Sequence, residues 1–125
     1  MKIHHIGIAT RSIEQSLDKL KLLYEIKNIS EIVFDKNQNA KLCIVDVENG
    51  VSLELIEGDQ VKHLVKKGIN YYHIGYSVKN IYEKIDQLQQ KGALLVSEPK
   101  EAILFNNRLV AFLMTNDGLI ELIEE

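Results

Sequence analysis

The 125-residue chain has one cysteine, one proline and no tryptophan. Cys43 alone cannot close an internal disulfide, so the expectation is a buried thiol in a reducing compartment, which points to a cytoplasmic protein. One proline and seven glycines leave no flexible low-complexity linker. No apolar run approaches the roughly 20 residues of a membrane span, and the first residues enter a strand-like pattern with no signal-peptide architecture. Charge of one sign is missing as well: 15 Lys and Arg stand against 18 Asp and Glu, interspersed, for a net charge of -3. Without a basic run, nucleic acid is not an expected partner. What is present, 46% hydrophobic and 26% charged residues, suffices for a single well-formed core.

The chain states one pattern twice. His73-Ile-Gly-Tyr-Ser-Val-Lys-Asn-Ile-Tyr-Glu-Lys-Ile-Asp-Gln-Leu88 repeats His5-Ile-Gly-Ile-Ala-Thr-Arg-Ser-Ile-Glu-Gln-Ser-Leu-Asp-Lys-Leu20. His-Ile-Gly recurs, followed by Arg11 and Lys79, Ile13 and Ile81, Asp18 and Asp86, Leu20 and Leu88. The halves also end alike, Leu53-Glu-Leu-Ile-Glu57 against Ile120-Glu-Leu-Ile-Glu124. Two copies are too few for a solenoid, so the repeat predicts one domain of two similar halves. Its parts are a first module over 1–57, a bridge over 58–70 and a second module over 71–125.

Each half predicts strand–helix–strand–strand–strand. Residues 2–9 read as a strand, and Ser12 with Gln15 forms a capping-box pattern that Asn80 with Glu83 echoes. Ile13, Leu17 and Leu20, matched by Ile81, Ile85 and Leu88, give each helix one apolar stripe. Gly92 suits the end of the second helix. Strands are then expected at 27–34, 40–47 and 51–57, with polar residues 35–39 and Glu48-Asn49-Gly50 as turns. In the second half they are expected near 94–98, which Pro99 cuts off, then 102–106 (separate, or joined to the next as one interrupted strand), 109–115 and 119–124. A helical turn is expected through 61–67.

Alternation along the strands decides where chemistry can sit. Val51, Leu53 and Leu55 share a face suited to packing under a helix, which turns Glu54 the other way; Ile120 and Leu122 do the same for Glu121. A carboxylate in mid-strand among aliphatic residues needs either a wet sheet face or a counter-charge, because burying it unpaired outweighs the ~1 kcal/mol of an ordinary hydrogen bond. A lone strand histidine or glutamate is ordinarily unremarkable. Recurrence of both types, as His5 with Glu54 and His73 with Glu121, favours a ligand set. Two neutral imidazoles and two carboxylates balance a divalent cation, and mixed nitrogen and oxygen donors suit Zn, Mn, Co, Ni or Fe(II).

These residues resemble the vicinal oxygen chelate superfamily, which includes glyoxalases, bleomycin-resistance proteins and dioxygenases. The similarity is carried by His5-Ile-Gly-Ile-Ala, Leu53-Glu-Leu-Ile56, His73-Ile-Gly-Tyr-Ser-Val, Val110-Ala-Phe-Leu113 and Gly118-Leu-Ile-Glu-Leu122, and it spans essentially the whole chain. It implies an α+β fold in which two βαβββ modules form a curved mixed sheet around a metal-binding cup. It also implies His5, Glu54, His73 and Glu121 as ligands of a divalent metal (Zn, Co, Ni or Mn), with Glu121 as the mobile catalytic base. Within the superfamily the chain looks most like methylmalonyl-CoA epimerase, then glyoxalase I, whose choice Glu54 follows where epimerases commonly have Gln. One departure stands out. Asn37, in Asn37-Gln-Asn-Ala40, occupies the place of the epimerases' second catalytic glutamate.

The activity so implied is isomerisation or epimerisation by proton abstraction alpha to a carbonyl, on an acyl-CoA or other acyl thioester. Alternatives are a glyoxalase I-type lactoylglutathione lyase, iron-dependent oxygenation, and a metal-free module that binds drugs or other small molecules. A homodimer is expected from exposed strand edges, with the cup closed within one chain or across two. Lys62, Lys66, Lys67, Lys100 and Arg108 read as solvated surface or as contacts to an anionic substrate. His4, on the side opposite His5, is expected against the helix, and His63 is expected to be exposed. Tyr72 and Tyr76 fall on the helix-facing side of their strand.

Overall fold

Ser12 and Asn80 do what their spacing predicts. In the computed structural model, which describes residues 1–48 and 50–125, each accepts a hydrogen bond on its side chain from the backbone N–H three residues on, Gln15 and Glu83. They open the two long helices, α1 (Ile13–Leu23) and α3 (Ile81–Gln90). Gly92, at φ 103, follows the end of α3 in a left-handed conformation that a side chain would strain.

The chain is a mixed α+β fold that divides into two compact units, residues 5–72 and residues 1–4 with 73–125. The first holds β1 (Lys2–Ala9) from His5 onward, then α1, β2 (Ile26–Ile29), β3 (Val33–Asp35), β4 (Ala40–Val47) and β5 (Ser52–Gly58). The strands run in the order β2-β4-β5-β1, with β3 also on β4 and β1 parallel to β5. A 3₁₀ turn (Asp59–Val61) and the short α2 (Lys62–Lys66) fill the bridge. The second unit repeats the plan with β6 (Tyr71–Val78), α3, β7 (Leu94–Ala102), β8 (Arg108–Thr115) and β9 (Gly118–Glu124). Its order is β6-β9-β8-β7, with β6 parallel to β9.

Each helix covers one face of its own sheet. Ile13, Leu17 and Leu20 pack on Ile6, Ile8, Cys43, Val45, Leu53 and Leu55. Ile81, Ile85 and Leu88 pack on Ala111, Leu113, Ile120 and Leu122. Of the helix residues, Ile13, Ile81 and Ile85 are buried outright, each contributing about 1.5–3 kcal/mol.

Three expectations change. The strand expected at 27–34 is two strands, because Ser30 turns its hydroxyl onto the partner strand and accepts the Ile44 N–H at 2.8 Å, while Ser30 N–H donates to Ile44 O. Pro99 does not end its strand. It lies in β7, at the end of the strand order, where the ladder to β8 shifts register between Ser97 and Lys100 and so needs no N–H from proline. The strand expected at 102–106 is instead the last residue of β7 and a 3₁₀ turn over Ile103–Phe105, closed by Asn106 and Asn107 at φ 55 and 62. The turn at Glu48-Asn49-Gly50 includes Asn49, which lies outside the described residues.

Candidate metal centre

Parallel pairing sets the geometry of each half. His5 faces Ser52 across the β1–β5 ladder, so Glu54, two residues further along β5, lies on the same sheet face and diagonal to the imidazole. His73 faces Leu119 on β9, and Glu121 again follows two residues later. The outcome is the same contact twice: His5 Nε2 to Glu54 Oε1 at 3.4 Å, and His73 Nε2 to Glu121 Oε2 at 3.3 Å. Leu53, Leu55, Ile120 and Leu122 occupy the other face with the helices.

All four residues are buried, none more than 4% exposed. Carboxylates this deep require compensation, and an imidazole beside each contributes by donating a hydrogen bond or by sharing a cation with the carboxylate. The spacing suits the second arrangement. Two donor atoms each about 2.1 Å from one ion, at tetrahedral or octahedral angles, lie roughly 3.0–3.4 Å apart. His73 is further held by an edge-on contact with Phe112, ring centroids 5.5 Å apart at 89°, and Phe112 is the ladder partner of Glu121. Each unit thus buries one imidazole and one carboxylate, His5 with Glu54 and His73 with Glu121, whose donors could take part in holding a metal ion.

The remaining sequence candidates fall elsewhere. Asn37 is exposed in the β3–β4 turn, its N–H donating to Asp35 Oδ1 at 2.8 Å. Asn39, in the same turn, has a left-handed backbone at φ 50. His4 meets the edge of Phe105 at 5.2 Å, in the 3₁₀ turn and not on a long helix; His63 is exposed on α2. Tyr76 packs into the α3 core, and Tyr72 is half-buried. Lys62 pairs with Asp59 at 2.6 Å, both exposed, and that contact holds the Asp59 carboxyl below its usual range and lifts the Lys62 ammonium above its own. Arg108 donates to Phe105 O at 3.1 Å. Lys66, Lys67 and Lys100 are exposed.

Two features escaped the sequence reading. Ser52 Oγ meets Asp46 Oδ1 at 2.5 Å beside the His5–Glu54 pair, a polar contact that Met114 and Leu119 replace in the second half. Glu57 and Glu124, part of the repeated strand endings, bind the first backbone N–H of α1 and α3. The endings were visible in the sequence, but only the fold brings the helix starts to them.

A duplicated βαβββ plan with a buried His–Glu pair in each half defines a glyoxalase-like protein. The chain belongs to the Glyoxalase/Bleomycin resistance protein/Dioxygenase superfamily, which it matches over residues 4–112. Among solved structures it is similar to a hypothetical protein of Bacillus halodurans C-125, at 26% identity and a TM-score of 0.78, covering 99% of this chain and 94% of that one. It is similar in fold to methylmalonyl-CoA epimerase from Mycobacterium tuberculosis, at 19% identity and TM-score 0.83, covering 98% and 87%. The Streptomyces coelicolor methylmalonyl-CoA epimerase (S115T), in complex with 2-nitronate-propionyl-CoA, aligns at 20% identity and TM-score 0.75, covering 100% and 94%. No curated protein matches the sequence.

Proposed function

We propose that the protein is a metal-dependent isomerase or epimerase that abstracts a proton alpha to a carbonyl, acting on an acyl thioester. The carrying observation is the His–Glu contact at 3.3–3.4 Å, buried and made twice from equivalent positions of the repeat. In this reading His5, Glu54, His73 and Glu121 are the ligands of one divalent ion (Zn, Co, Ni or Mn). A bound ion supplies Lewis-acid stabilisation of the negative charge that develops on the substrate carbonyl.

Glu121 is the proposed base. Its side chain is buried, so water has little access to the proton it takes. Phe112, the ladder partner of Glu121, packs edge-on against the His73 ring. The acyl-CoA preference is supported by the similar epimerase whose structure holds 2-nitronate-propionyl-CoA. Exposed Asn37 offers no carboxylate for a second proton transfer, which favours one-base chemistry and keeps a lactoylglutathione lyase as the second reading. A homodimer in the cytoplasm completes the proposal, an exposed strand edge being a ready surface for a second copy.

The test is elemental analysis of purified protein followed by proton exchange in D₂O. A divalent transition metal near one per chain, with deuterium entering the alpha carbon of an acyl-CoA thioester, is the expected result. Turnover of a 2-oxoaldehyde–glutathione adduct with no exchange on thioesters would select the lyase, and protein free of metal and inert on both would sink the isomerase reading.

A further inference from the structure

A concave site lies in the unit of residues 5–72, and neither His5 nor Glu54 lines it. Its cleft of about 600 Å³ is within the range of small-molecule sites. Ala40 and Gly58, which line it, pair across β4 and β5, so close that a Cβ on Gly58 would stand 2.8 Å from Asn39 O and 2.9 Å from Ala40 Cβ. Above it stand four cationic side chains, Arg11, Lys41, Lys62 and Lys66, on a chain whose net charge is -3. The two carboxylates present are engaged: Glu57 accepts the Ile13 N–H at 2.9 Å, and Asp59 pairs with Lys62. Among the described residues, no ion pair holds Arg11 or Lys66, both exposed. One wall is Phe34, 53% exposed beside its ladder partner Lys41.

A cationic rim, small residues in the lining and an aromatic ring left in water have one economical occupant. We infer that this cleft binds an organic anion carrying a flat ring, of the nucleoside-phosphate class. Arg11 and Lys66 hold the phosphate oxygens, for which guanidinium and ammonium groups are suited, and the base stacks on Phe34. The repeat does not explain the site. Lys62 and Lys66 come from the bridge, which lies outside the repeated strand–helix plan. The inference needs nothing from the metal reading, since it uses none of the four buried ligands.

A free nucleotide and the nucleotide end of coenzyme A share this chemistry, so both are used as probes, with inorganic phosphate, in calorimetric titration of the full chain at low salt. Saturable binding of ADP is expected, weakened about tenfold or more in Arg11→Ala/Lys66→Ala and separately in Phe34→Ala, with melting temperatures unchanged. Equal affinity for ADP and coenzyme A assigns the cleft to the nucleotide itself. Tighter binding of coenzyme A assigns it to the end of a larger thioester. Failure of both to saturate, binding indifferent to the substitutions, or inorganic phosphate as tight as ADP would overturn the inference.

Discussion

Glu57 Oε1 accepts the backbone N–H of Ile13 at 2.9 Å, tying the end of β5 to the first turn of α1. Glu124 Oε2 does the same for Ile81 at the start of α3, also at 2.9 Å. These N–H groups have no partner within their helices, and a carboxylate there also meets the positive end of the helix dipole. The helix start is therefore fixed by the strand that carries the metal-ligand candidate three residues earlier.

Replacing either glutamate with alanine removes a charged hydrogen bond and leaves a part-buried N–H behind. Glu57→Ala and Glu124→Ala should each destabilise the fold by about 1–3 kcal/mol, and Gln should recover part of that loss. Urea unfolding followed by circular dichroism measures it. Equal midpoints for wild type and both alanine variants would deny these contacts a structural role.

Metal removal should loosen the protein. If an ion bridges the His–Glu pairs, stripping it leaves two carboxylates in surroundings no more than 4% exposed. A ligand present at a hundred times its dissociation constant stabilises by about 2.7 kcal/mol, so chelation should lower the melting temperature by several degrees and Zn, Co, Ni or Mn should restore it. His5→Ala or His73→Ala should abolish the response to metal. A melting curve blind to both chelator and added ions would argue against the centre.

Glu121→Gln separates base from ligand. The amide keeps an oxygen donor but takes no proton, so turnover should fall by about 10²–10⁴ while the substrate still binds. Steady-state kinetics beside equilibrium binding on the same variant decide the point; retained turnover moves the base elsewhere.

Cys43 provides a check on the fold itself. It is fully buried, and burial raises its thiol above the ordinary range, against a smaller lowering by a contact with Ser30. Thiolate is the reactive form, so a thiol reagent should label Cys43 only as the chain unfolds, with a rate that follows denaturant. Rapid labelling of native protein at neutral pH would mean that the α1 core opens far more readily than its packing implies.

The sequence alone determined the duplication, both helix starts and the phase of the strands that carry His5, Glu54, His73 and Glu121. Those follow from local chemistry: caps act over three residues, and alternation assigns a side chain to a face. Tertiary structure decided what depended on a partner strand. Ser30 breaks its strand because Ile44 lies opposite, and Pro99 is tolerated because β7 shifts register there. The 3.3–3.4 Å spacing of each His–Glu pair comes from parallel register between segments some 50 residues apart, which no local pattern encodes. The cleft beside Phe34 is likewise an outcome of β3, β5 and α2 meeting, and nothing in the spacing of its lysines announces it.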